Sequence, residues 1–112
     1  MRMRTLLSSA LVGAAVVAPT AVTAPAANAA TMHTWNRLAH CESSGRWHIN
    51  TGNGYYGGLQ ISPSTWRAYH GKRFAPLPHQ ATKRQQIWVA ERIKRGQGWR
   101  AWPVCSQRIG VR

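Results

Sequence analysis

Acidic side chains are almost missing from this sequence. It holds no aspartate and two glutamates, Glu42 and Glu91, against 15 lysines and arginines. A site that needs two carboxylates could therefore form only if both glutamates converged. Cysteine is nearly as scarce. Cys41 and Cys105 stand in neither CxxC nor CxxH spacing, and His33, His40, His48, His70 and His79 show no ligand pattern, so no metal centre is expected. No cofactor is expected either. There is no G-x-S-x-G element, and "GNGYYGG" lacks the GK[ST] ending of a phosphate loop, which excludes nucleotide binding by that route. Beyond residue 30 no long apolar run occurs, hence no membrane anchor is expected.

What is present begins with an export signal. "MRMR" is a short basic start, "LLSSALVGAAVVA" an apolar core, and "ANA" (Ala27–Ala29) a small-residue cleavage site. Residues 1–29 are read as a secretory leader and residues 30–112 as one exported domain, secreted and associated with the cell wall. That domain has thirteen basic residues and two acids, a formal charge of +11. Such single-sign charge attracts polyanions, and outside the cell these are wall polymers and acidic lipids rather than nucleic acid. So small a domain needs help to stay folded. In an oxidising compartment a Cys41–Cys105 disulfide is the default, with two free thiols as the alternative. Closing a loop of about 64 residues stabilises by about 4 kcal/mol on the chain-entropy account.

The element pattern is mostly helical. Thr34 can cap a helix running to about Ser43, with Gly45 as a left-handed stop. "NTGNGYYGGLQIS", with four glycines between Gly52 and Gly58, reads as a hairpin or loop. Ser62 and Pro63 open a helix towards Gly71. "KRFAPLPHQ" reads as an ordered loop. Thr82 and Gln85 form a capping box for a helix ending near Arg95, before Gly96 and Gly98. "WRAWPVCS" closes the chain and returns Cys105 towards Cys41. The expected fold class is α+β, mostly helical, with a glycine-rich hairpin or loop and one disulfide.

Helix periodicity separates the two acids. At about 100° per residue, Trp35, Leu38, Ala39 and Glu42 fall within one arc of about 100°. Glu42 is thus expected in the middle of an apolar stripe, where lost hydration raises a carboxyl pKa and suits it to act as a general acid. The alternative is a salt bridge to an arginine such as Arg46 or Arg100. Glu91 points more than about 90° away from its own apolar centre of Val89, Ala90 and Ile93. With Arg95 four residues on, it is expected in a surface pair. One acid remains. A single acid/base suffices for glycoside cleavage when the substrate supplies its own nucleophile.

Ten aromatic residues are a heavy load for this length. Trp35 and Trp88 lie on helices and are read as core. Of Tyr55 and Tyr56, on the glycine-rich segment, one is expected to face a ligand, since aromatic faces suit sugar rings. Thr65 and Gln97 are uncharged hydrogen-bonders of the kind that glycan amides and hydroxyls accept.

"TWNRLAHCESSGRWHINTGNGYYGGLQISPSTW", "FAP", "ATKRQQIWVAE" and "QGWRAWPVCS" together closely resemble the resuscitation-promoting factor (Rpf) domain of actinobacteria, from about Thr34 to Ser106. The resemblance implies a lysozyme-like, lytic-transglycosylase-like fold. It implies cleavage of the β-1,4 bond between N-acetylmuramic acid and N-acetylglucosamine, with Glu42 as catalytic acid. Thr65 and Gln97 would hold glycan, and Tyr55, Tyr56 and Trp66 would line the cleft. Cys41 would pair with Cys105. The implied partners are peptidoglycan glycan strands and other cell-wall hydrolases, and a monomer is expected.

Two positions depart from the family pattern. Serine stands at Ser44 where glycine is usual, and asparagine at Asn36 where aspartate is frequent. Many relatives carry a wall-binding module after this domain. Here, with the chain ending at Arg112, the +11 charge is expected to retain the protein on anionic wall polymers. The rival readings are a non-enzymatic cationic wall-binding or antimicrobial domain and, against the export signal, a nucleic-acid binder.

Overall fold

The computed structural model describes residues 29–112. The leader expected over residues 1–29 lies outside the described residues but for Ala29. From Thr31 to Arg112 the chain forms one unit built around four α-helices.

Helix α1 (Met32–Ser43) starts one turn before the expected place. Thr31, not Thr34, is the cap, and its hydroxyl accepts the Thr34 amide at 3.1 Å. Either threonine carries the hydroxyl a cap requires, but Thr31 is the one held in extended backbone (φ −75°, ψ 160°). The helix ends at Ser43, as expected, but the left-handed stop begins at Ser44 rather than Gly45. Ser44 takes the left-handed conformation (φ 58°) and Gly45 continues it (φ 74°). Their amides close back on His40 and Ala39 at 3.0 and 3.1 Å, so the last carbonyls are satisfied.

The glycine-rich segment makes only isolated antiparallel pairings, Asn50 with Tyr56 and Tyr56 with Ile61. Among the described residues that is all the β content, so the domain is mostly helical, as expected. Helix α2 (Pro63–Ala68) is capped by Ser62 and led by Pro63, but it is shorter than expected. His70 turns left-handed (φ 70°) and a 3₁₀ turn, Gly71–Arg73, follows. A second 3₁₀ turn covers Pro78–Gln80. Helix α3 (Lys83–Gln97) opens with the expected Thr82–Gln85 capping box. It runs through Gly96 and ends at Gly98 instead. A Cβ at Gly96 would stand 2.6 Å from the Tyr69 hydroxyl, so glycine here serves side-chain packing rather than a stop. A 3₁₀ turn (Trp99–Ala101) leads to α4 (Pro103–Arg108).

The core gathers Trp35, Leu38 and Ala39 of α1, Leu59 and Ile61 of the glycine-rich segment, Val89, Ala90 and Ile93 of α3, and Trp102, none more than 4% exposed. Trp35 packs against Trp99 and Trp102 with ring centroids 5.2 and 5.4 Å apart. The Cys41–Cys105 disulfide forms, fastening α1 to α4. Trp88, expected in the core, is only half-buried. Its ring lies edge-on to Phe74 and under Arg92.

Candidate active site

Two adjoining depressions share Tyr55, Gln60, Ala101 and Trp102 in their walls. The larger, about 300 Å³, is also lined by Glu42, Pro103, Val104 and Cys105. The smaller, about 70 Å³, is bounded by Ser62 and Thr65 of α2's start and Ile93 and Gln97 of α3. Together they make a cleft with the lone acid towards one end and two polar glycan-type contacts, Thr65 and Gln97, at the other.

Glu42 reaches this cleft because the core face of α1 extends to its last turn. Trp35, Leu38 and Ala39 are fully buried on that face, and Glu42 follows them where the helix emerges into the depression, half-buried. Burial raises the Glu42 pKa above the ordinary glutamate value. The negative end of the α1 dipole acts in the same direction on a carboxyl in the last turn. Among the described residues the salt bridge considered as an alternative does not form. The one ion pair is Glu91 with Lys94, and the Arg46 guanidinium donates to the Ser43 carbonyl instead.

Glu91 corrects the expectation of a surface pair with Arg95. Its carboxylate accepts the indole N–H of Trp35 at 2.8 Å and lies 3.8 Å from the Lys94 ammonium. It does not line the cleft. The structure therefore holds one cleft carboxylate, and the second is committed to the core tryptophan.

The loop that brings Tyr55 and Gln60 into the walls is held by side chains from three other elements. The Ser43 hydroxyl lies 2.9 Å from the Gly58 carbonyl. Buried Gln86 of α3 accepts the Gly58 amide at 3.0 Å and donates to the carbonyls of Trp47 and Ala81 at 2.8 and 3.0 Å. The Trp102 indole N–H donates to the Leu59 carbonyl at 2.9 Å. So close an approach requires glycine. A Cβ at Gly58 would meet the Trp47 ring at 2.3 Å, and one at Gly57 would meet the Gln86 carbonyl oxygen at 2.5 Å. Fixing the loop fixes Tyr55, whose ring is 51% exposed over both depressions.

Of the residues expected to touch ligand, Glu42, Tyr55, Thr65 and Gln97 line the cleft. Two do not. Trp66 is fully buried, donating its indole N–H to the Ala75 carbonyl at 2.8 Å, with Gly71 flat against its ring. Tyr56 turns away from the cleft and stacks on His79 at 5.2 Å. Sequence reasoning missed Gln60, which lines both depressions in the left-handed conformation (φ 53°). Its amide is oriented by the Gly57 carbonyl and the Asn53 side chain, both at 3.1 Å. It also missed the apolar wall of Trp102, Pro103 and Val104. The signal was available in "AWPVC", whose Val104 is 58% exposed.

Comparison with known proteins decides the relationship. The sequence profile of the transglycosylase-like domain matches residues 29–105. Resuscitation-promoting factor RpfC of Mycobacterium tuberculosis is 42% identical over 106 residues, covering 95% of this chain and 74% of the relative. The chain belongs to the transglycosylase-like, resuscitation-promoting factor family. Rpf1 of Corynebacterium glutamicum is 60% identical over 90 residues, 80% of this chain and 47% of its own length. Rpf of Micrococcus luteus is 54% identical over 101 residues, 90% of this chain and 42% of its own. This family member thus spans less than half the length of these two relatives. The matched region contains every residue that lines the cleft.

Proposed function

We propose that this chain is a secreted, wall-associated muralytic enzyme that cleaves the β-1,4 bond between N-acetylmuramic acid and N-acetylglucosamine in peptidoglycan glycan strands. The observation that carries the reading is the single half-buried carboxyl of Glu42 in a cleft whose walls are a tyrosine ring and neutral hydrogen-bonders. Membership in the transglycosylase-like family supports it.

In this reading Glu42 enters the cycle protonated and donates its proton to the glycosidic oxygen as the bond to the anomeric carbon breaks. The leaving sugar departs as an alcohol. An oxygen nucleophile then captures the oxocarbenium-like centre, and the Glu42 carboxylate takes that nucleophile's proton, which resets the acid. That one carboxylate lines the cleft supports a route that needs no second carboxylate. That nucleophile is the 6-hydroxyl of the muramic acid, which gives an anhydro sugar, or water, which gives a hydrolysed one. Tyr55 packs a sugar face, while Thr65, Gln97 and Gln60 offer hydrogen bonds to hydroxyls and acetamides. The protein acts as a monomer, alongside other wall hydrolases.

Glu42→Gln keeps the shape and removes the proton. Release of soluble fragments from purified peptidoglycan should fall at least about 100-fold. Near wild-type release would end the mechanism. Mass spectrometry of wild-type products identifies the nucleophile, because an anhydro product is one water lighter than a hydrolysed one. Charge-driven wall binding without catalysis predicts the opposite pattern, with loss at high salt and indifference to Glu42→Gln.

A further inference from the structure

The cleft uses one side of α3. The other side carries a different chemistry. Arg84, Trp88, Arg92 and Arg95 recur at spacings of four, four and three residues, which places them in one stripe about 80° wide. The cleft-lining Ile93 and Gln97 lie about 140–180° around the helix from Trp88. The stripe is therefore turned away from Glu42.

Trp88 is the centre of this face. The Arg92 guanidinium carbon sits 3.6 Å from its ring centroid, and that of Arg73, from the 3₁₀ turn Gly71–Arg73, sits 5.2 Å from it. Arg73 also covers Phe74 at 5.7 Å, and Phe74 stands edge-on to Trp88 with ring centroids 5.2 Å apart. Two guanidinium groups are thus held on one indole, and exposed Lys72, Arg84 and Arg95 extend the cationic face. A guanidinium stacked on a ring keeps its N–H edges free, and it loses less freedom on binding than an unsupported side chain. Among the described residues the ion pair found, Glu91 with Lys94, includes none of these guanidinium groups.

We propose that this arginine–tryptophan face is a binding site for linear phosphodiester polymers, separate from the catalytic cleft. Arg84, Arg92 and Arg95 span eleven residues of helix, about 16 Å of rise at about 1.5 Å per residue. With Arg73 alongside, they form a row of forks matched to a chain that carries an anion every few ångströms. Each fork can grip a phosphate with two N–H groups. A single phosphate would engage one fork and gain little. The face holds the enzyme against an anionic wall polymer while the opposite side of α3 presents the cleft to glycan.

The test measures binding of a fluorescent poly(glycerol phosphate) to the full chain across a salt series. The comparison is between Arg73→Gln/Arg92→Gln and a control pair, Arg67→Gln/Arg108→Gln, that removes equal charge from exposed positions elsewhere. Thermal melts establish that each variant is folded. The expected result is an affinity loss of about tenfold or more for the first pair, with the log–log salt slope reduced by about 1.5–2 units. The control pair should lose less than about threefold. Trp88→Leu, which keeps every charge, should weaken binding several-fold if folded. Equal losses in the two pairs would reduce the effect to net charge and overturn the site. Inorganic phosphate that competes as well as the polymer, per phosphate, would overturn the polymer assignment, and a poly-glutamate that binds equally well would overturn the phosphodiester assignment. Cleavage of short soluble glycan by Arg73→Gln/Arg92→Gln should match wild type, which separates this proposal from the catalytic one.

Discussion

The carboxylate of Glu91 receives the indole N–H of Trp35 at 2.8 Å, joining α3 to the largest fully buried side chain of α1. This bond holds one of the two acids outside the cleft, and Glu42 is the one that lines it. Replacing Glu91 with alanine strands a buried indole N–H, which should cost about 1–3 kcal/mol. Glu91→Gln keeps an acceptor and should lose less. Both should retain activity at temperatures where they are folded. A folded Glu91→Gln without activity would mean that the second acid takes part in the chemistry.

Glu42 should make stability depend on pH in an unusual direction for a carboxyl. Its folded pKa lies above its ordinary value of 4.5, so between those two values the native state binds more protons than the unfolded state. The contribution is complete below the ordinary value and is lost as pH rises through the folded one. Wild type should therefore lose melting temperature relative to Glu42→Gln as pH climbs through this window. In the proposed mechanism the same titration removes the general acid, so activity should decline on the alkaline side with the same midpoint. Parallel melting and rate profiles for the two proteins check both. A difference that grows towards acid instead would show that the folded pKa is depressed.

The loop that lines the cleft depends on Gly58. Adding one methyl group at 2.3 Å from the Trp47 ring forces either the ring or the loop to move. Gly58→Ala should cost about 1–3 kcal/mol, as overpacking does. It should also cut activity at temperatures where the protein remains folded, because the loop that shifts carries Tyr55 and Gln60. Urea melts paired with peptidoglycan assays test it, and an inert Gly58→Ala would show that the loop is not held as tightly as its hydrogen bonds indicate.

Ser44 offers the converse. It holds a left-handed conformation (φ 58°) that an ordinary side chain adopts at a cost. Ser44→Gly should raise stability by about 1 kcal/mol, about 4–8 °C in melting temperature for a domain of this size. Activity should be unchanged. A melting temperature at or below wild type would mean that the serine side chain repays its backbone strain.

Much of this arrangement was legible in local pattern. The Thr82–Gln85 box, the Ser62–Pro63 start and the apolar arc ending at Glu42 depend on neighbours three or four residues apart, and hydrogen-bond geometry makes such spacing decisive. The inward acid followed from that arc, and so did its raised pKa. The scarcity of carboxylates, visible in composition, left only two acids to place, and the arc already separated them. The disulfide followed from having two cysteines and the expectation of an oxidising compartment.

What sequence could not decide was which long-range partner each side chain would find. Glu91 and Arg95 are four residues apart, yet an indole N–H from α1, 56 positions away, captures the carboxylate. Tyr55 and Tyr56 are adjacent and chemically alike, and the turn sends one over the cleft and the other onto His79. Trp66 looked equally suited to a sugar face until Gly71 and the Ala75 carbonyl closed around it. Periodicity assigns a residue to a face of its own helix. Only the folding of distant segments onto that face determines whether it meets core, cleft or water, because burial and hydrogen-bond satisfaction are settled by the whole set of contacts at once.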